Sequence, residues 1–151
     1  MYFWNINSLK NDIRDNGFND RFVFPYILVY VIITTFSIEI LRYTGVEEGS
    51  IYEYFYTALV LILSILGTIY IYKKNGMENG NNFANKFFTI GLVVLIRTSI
   101  YFILFSIFIG FILIAFFSDD ILEESLGFIE LLYIIFYYYI LGNHILDIKD
   151  V

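Results

Sequence analysis

Four apolar runs, at residues 22–41, 52–72, 87–117 and 126–146, limit what this chain can become more than any other feature. A helix rises about 1.5 Å per residue and the hydrocarbon core of a bilayer is about 30 Å thick, so roughly 20 apolar residues cross it once. Each run meets that length. Water-soluble domains are about 45–50% apolar and about 25% charged, whereas 59% of these residues are hydrophobic and 16% are charged. The expectation is an all-α, polytopic membrane protein, a single domain over residues 1–151 with four transmembrane helices.

The polar stretches set the boundaries. Residues 1–20 are too polar to span, but Ile6, Leu9 and Ile13 recur at helical spacing and Gly17 supplies a stop. A short amphipathic helix at the membrane interface is expected there. Pro25 falls in the first turn of the first span, where its missing N–H would be unpaired anyway. Ser50 and Glu53 form a capping pair before the second span, and Ser125 caps the last. Residues 73–86, KKNGMENGNNFANK, read as the largest polar loop.

At 31 residues, the third run is about ten longer than one perpendicular crossing requires, and it contains Arg97. Either one long tilted helix carries Arg97 about 16 Å beyond Lys86, or residues 87–96 lie along the surface and residues 98–117 alone cross. The second arrangement lets Arg97 snorkel to lipid phosphates and is favoured. Ser99, Ser106 and Gly110 share one stripe of this helix, with Ser106 and Gly110 at small-xxx-small spacing, and Arg97 points nearly opposite. These four residues are the candidate pore or interface positions.

Charge sets the orientation. With four spans, Lys10, Arg14, Arg21, Lys73, Lys74, Lys86 and Lys149 share one side, while the opposite loops hold only Arg42. Lys and Arg in short loops decide topology, so both termini are expected in the cytoplasm, across a plasma or inner membrane. The excess of isoleucine over alanine points to an AT-rich microbial source. The outer face is acidic, with Glu39, Glu47, Glu48, Glu53, Asp119, Asp120, Glu123, Glu124 and Glu130 forming a rim that would concentrate cations or attract a basic partner. Some of these acids also serve as helix caps, which is the plainer reading.

Composition excludes several kinds of chemistry. The absence of cysteine removes disulfides, thiolate nucleophiles and Cys-ligated metal sites, and His144 alone cannot build a multi-histidine site. A net charge of -6 argues against nucleic-acid binding. No cofactor motif or paired catalytic group is visible, so no enzyme is expected.

The function expected is that of a non-enzymatic, oligomeric membrane subunit of a larger complex, such as a defence effector or immunity protein. Its partners would be membrane lipids, further copies of itself and a cytoplasmic protein docking on Lys10, Arg14, Lys73, Lys74 and Lys86. A small oligomeric ion channel using Arg97 or the acidic rim is the alternative, and a small transporter comes third.

Overall fold

The computed structural model describes the backbone of residues 2–43, 51–116 and 119–150, and side chains at 2–19, 21–34, 54–112, 115 and 128–150. Five α-helices form: α1 (Ile6–Asn16), α2 (Asp20–Tyr43), α3 (Ile51–Lys74), α4 (Phe83–Phe116) and α5 (Asp119–Leu146), with one 3₁₀ turn at Met77–Asn79. Among the described residues there is no strand.

Local chemistry explains the helix ends. The Asn5 side chain accepts the Ser8 N–H at 3.0 Å to start α1. Gly17 ends it at φ 68°, a conformation open to glycine, and returns its N–H to the Ile13 carbonyl at 2.9 Å. Asn19 then accepts the Phe22 N–H at 2.8 Å, so α2 begins at Asp20 rather than Phe22. That earlier start moves Pro25 out of the first turn and into the helix, where it has no N–H to give the carbonyl four residues back. The expected first-turn placement of Pro25 is corrected accordingly.

Helix α4 is one continuous element of 34 residues. Residues 87–96 do not peel away along the surface, which overturns the arrangement the sequence favoured. The physical reason is packing: Ile90, Leu92, Val93 and Val94 are buried against protein and need neither lipid nor water to cover them. The helix also starts at Phe83, which places Lys86 inside it rather than in the preceding loop.

The helices pack as an open layer in the order α3, α5, α4, α2, with α1 laid against α4. Among the described residues, α2 and α3 make no comparable contact, so the layer does not close into a bundle. Helices α3 and α5 run parallel, paired by Tyr56 with Glu130 and Thr68 with Tyr138. Helices α4 and α5 run antiparallel, with Ser99 beside Tyr133 and Gly91 beside Leu141. Close approach of α3 and α5 rests on a reciprocal fit, the Tyr138 ring lying over Gly67 and the Tyr70 ring over Gly142. A side chain at either glycine would occupy the space of the facing ring.

The core sits at one end of the layer. Ile6, Leu9 and Ile13 of α1 pack there with Tyr26, Ile71, Ile90, Val93, Leu141, Ile145 and Ile148. Lys86 is fully buried at the same end, donating to Asn75 Oδ1 and to the Lys149 carbonyl, each at 3.0 Å. Both acceptors lie just past helix C-termini, where partial negative charge favours a cation. Lys10 closes the other side with a 2.9 Å ion pair to Asp147, and Arg14 donates to the Asp147 carbonyl at 3.0 Å. Residues 2–20, the 75–82 turn and residues 147–150 thus gather with Arg21, Lys73, Lys74 and Lys86 at one end, weakly basic because seven Lys and Arg residues stand against six Asp and Glu residues.

Away from that end the helices present apolar side chains outward. Three segments, Tyr54–Lys74, Phe83–Ile112 and Phe128–Leu146, are long and apolar enough to cross a membrane, and within an apolar 18-residue stretch of each only 6%, 22% and 17% of the residues are buried by protein. Exposed apolar surface on that scale demands a nonaqueous solvent, and the protein is membrane-embedded. In α2 the described apolar segment, Arg21–Thr34, is shorter.

Candidate functional site

The α4–α5 seam begins with hydroxyl groups. Thr98 Oγ1 donates to the Val94 carbonyl at 2.8 Å, satisfying itself within the helix. Tyr133 of α5 reaches across with its hydroxyl 2.8 Å from Ser99 Oγ and 3.2 Å from Thr98 Oγ1, and its ring packs on Phe102 at 4.4 Å. These contacts fix the rotation of α4. Arg97, one residue earlier, is turned to the flank of the seam, where side chains lean toward the helix N-terminus and hence toward the basic end.

There the Arg97 guanidinium stands over the Trp4 ring, 5.7 Å from its centroid, and Trp4 also approaches Tyr101 at 6.3 Å. A cavity of about 270 Å³ opens beside it. Its polar wall is Arg97, Thr98, Tyr101 and His144, and its apolar wall is Val94, Phe136 and Ile140. His144 Nδ1 lies 3.5 Å from Lys10 Nζ, whose carboxylate partner is Asp147. Among the described residues Arg97 has no carboxylate partner, and its charge is met by the cation–π contact with Trp4.

A second cavity, of about 510 Å³, continues along the same seam and shares Thr98, Tyr101 and Phe136 with the first. It adds Phe102, Phe105, Ile129 and Leu132, and it carries no charged side chain. The two together form a groove that is cationic at one end and apolar along the rest.

The expected site residues separate in this structure. Arg97 and Ser99 lie on different sides of α4, and Ser99 is engaged by Tyr133. Among the described residues Ser106 Oγ is buried with no hydrogen-bond partner and nothing lies within 4 Å of where a side chain at Gly110 would begin, so no described helix approaches closely there. Of the acidic rim, Glu130 is described and accepts the Tyr56 hydroxyl at 2.7 Å. The side chains of Glu39, Glu47, Glu48, Glu53, Asp119, Asp120, Glu123 and Glu124 lie outside the described residues.

Among the docking cations, Lys86 is fully buried and Lys10 nearly so, and both spend their ammonium groups inside the protein. Their place is in the fold, because burial of an amine without acceptors would be prohibitive. Arg14 and Lys73 remain exposed, and Lys74 is half-buried over the Tyr70 ring. Sequence reasoning missed Trp4, Tyr101 and the part taken by His144 in the cavity wall. No local signal marks them, because the residues meet only through tertiary packing.

Among the described residues no group of three His, Asp or Glu side chains is placed to hold a metal ion. A scan against protein-family models, a search of curated proteins and a search of solved structures each returned no match for this chain.

Proposed function

We propose that the protein is a non-enzymatic membrane subunit that associates with further copies of itself and presents its basic end to a cytoplasmic protein partner. In this reading α2 is a fourth span, α1 rests at the membrane interface, and both termini face the cytoplasm of a prokaryotic cell. The observation that carries it is the open layer: α2 packs on α4 and α3 on α5, leaving the outer faces of both edge helices without a protein neighbour among the described residues. Exposed Phe24, Val31, Leu61 and Ile65 on those edges suit close contact with a second copy or with lipid. Arg14 and Lys73 provide charge for docking at the basic end. A conducting ring of Arg97 side chains has less support, since Trp4 already covers the guanidinium within one copy.

Two measurements test the reading. Mass determination after extraction in mild detergent is expected to show a multimer or a bound partner; a bare monomer under every mild condition would refute it. Because the chain has no cysteine, Asn11→Cys and Asp150→Cys give clean labelling sites. Both are expected to react with an impermeant maleimide only after the membrane is opened.

A further inference from the structure

We propose that the groove between α4 and α5 holds one anionic membrane phospholipid, with its phosphate against Arg97 and His144 and one acyl chain along Phe102, Phe105 and Leu132. This goes beyond the assembly reading, because every residue involved belongs to a single copy.

Three observations converge. The first is unbalanced charge. Arg97 lines the cationic end and Lys10 stands beside its His144 wall, where the described carboxylate, Asp147, is already held by Lys10. A charged side chain within an apolar helix ordinarily faces a cavity and finds a counter-charge. Here the cavity is present, and among the described residues no acid lines it. Arginine matches a phosphodiester by donating two parallel N–H bonds to its oxygens.

The second observation is continuity. The cationic cavity of about 270 Å³ and the apolar one of about 510 Å³ share three wall residues, so a molecule with a charged head and a long tail lies across both. Each part matches one end of such a molecule: hydrogen-bond donors at Arg97, Tyr101 and His144, then aromatic and aliphatic walls. Ligand sites typically occupy about 300–1,000 Å³ and combine apolar walls with a few convergent polar groups.

The third is an internal contrast. The groove between α3 and α5, lined by Leu63, Leu66, Tyr70, Ile135 and Tyr139, is of similar size at about 470 Å³ and contains no cation. Any lipid tail would suit it. Of the two, the α4–α5 groove carries the cation in its wall and is the one suited to discriminate by headgroup, in the manner expected of basic pockets between membrane helices.

Trp4, the single tryptophan of the chain, stands at this site and reports on it. The test is quenching of Trp4 fluorescence in phosphatidylcholine vesicles doped with brominated phosphatidylglycerol or brominated phosphatidylcholine. In the wild type, half-maximal quenching is expected at an about tenfold lower mole fraction of the anionic lipid, the scale of one charge-assisted hydrogen bond. Arg97→Gln should bring the two lipids level, Arg97→Lys should keep part of the preference, and Lys73→Gln, an exposed charge at the same end, should keep all of it. Circular dichroism of each variant confirms that the helices are intact. Equal quenching by both lipids in the wild type would overturn the proposal, as would a preference that survives Arg97→Gln or falls equally with Lys73→Gln. Loss of the preference on adding inorganic phosphate would assign the cavity to the free anion instead. Equal competition by a brominated fatty acid would assign it to a carboxylate.

Discussion

At the basic end Leu9, Ile13, Val93, Leu141 and Ile145 are shut away from any solvent, whereas Leu61, Leu104 and Phe111 in the same set of helices are each more than half exposed. In the proposed orientation, with α1 and the chain turns where the aqueous phase begins, the first group gains the full hydrophobic benefit of leaving water. The second group would exchange lipid for protein, both apolar, and gains little beyond van der Waals contact. Polar bonding follows the same division. The basic end is tied by Lys86, Lys10 and Arg14, while the opposite end shows one described bond between helices, from Tyr56 to Glu130. Stability is therefore concentrated at one end of a layer that is otherwise dissolved in lipid.

Leu9→Ala should break this contrast most forcefully. It opens a cavity beneath α1 and is expected to lower stability by about 2–5 kcal/mol, read from thermal or SDS-induced unfolding in detergent. Leu104→Ala, on the exposed surface of α4, should lower it by less than about 0.5 kcal/mol. Equal losses at the two positions would remove the distinction between the ends.

Glycine positions sharpen the comparison along the spans themselves. Gly67→Leu forces side-chain carbon into the Tyr138 ring and should part α3 from α5, at a cost of about 1–3 kcal/mol. Gly110→Leu meets open space, and no loss is expected in the same unfolding assay.

The smallest effect belongs to the ion pair. Asp147→Asn should cost about 0.2–1 kcal/mol, because the carboxylate is half exposed and screened. The hydrogen bond from Lys10 holds the Asp147 carboxyl below its ordinary value of 3.8. A group whose acidity is increased by folding contributes fully above its unfolded value and loses that contribution as pH falls through the folded one. The difference between wild type and Asp147→Asn should then be constant from pH 5 to 8 and close only below the carboxylate range. High salt should narrow it throughout.

Much of this architecture is legible in the sequence because apolar run length and cap chemistry act locally. The helical spacing of Ile6, Leu9 and Ile13 indicated α1, and the asparagine and glycine steps after Lys74 marked the turn. What the sequence did not disclose depends on contacts far apart in the chain. Lys86 looks like a loop cation until Asn75 and the Lys149 carbonyl are seen to enclose it. Residues 87–96 look like surplus length until α1 and α5 cover them. Arg97 was identified as the informative charge, but its surroundings were not, since Trp4 and His144 reach it only once α1 is seated.

That seating has a consequence for biogenesis. Lys10 meets Asp147 across a separation of 137 residues, and Leu9 and Ile13 share a core with Ile145 and Ile148. During synthesis α1 precedes α5, so the part of its receiving surface formed by Leu141, Ile145 and Ile148 follows the part formed by α4. Until elongation passes Ile148, the apolar face of α1 lacks part of its cover. Seating of α1 is therefore complete only after α5 has been made, and a chain truncated before Ile145 would leave Leu9 and Ile13 short of part of their core.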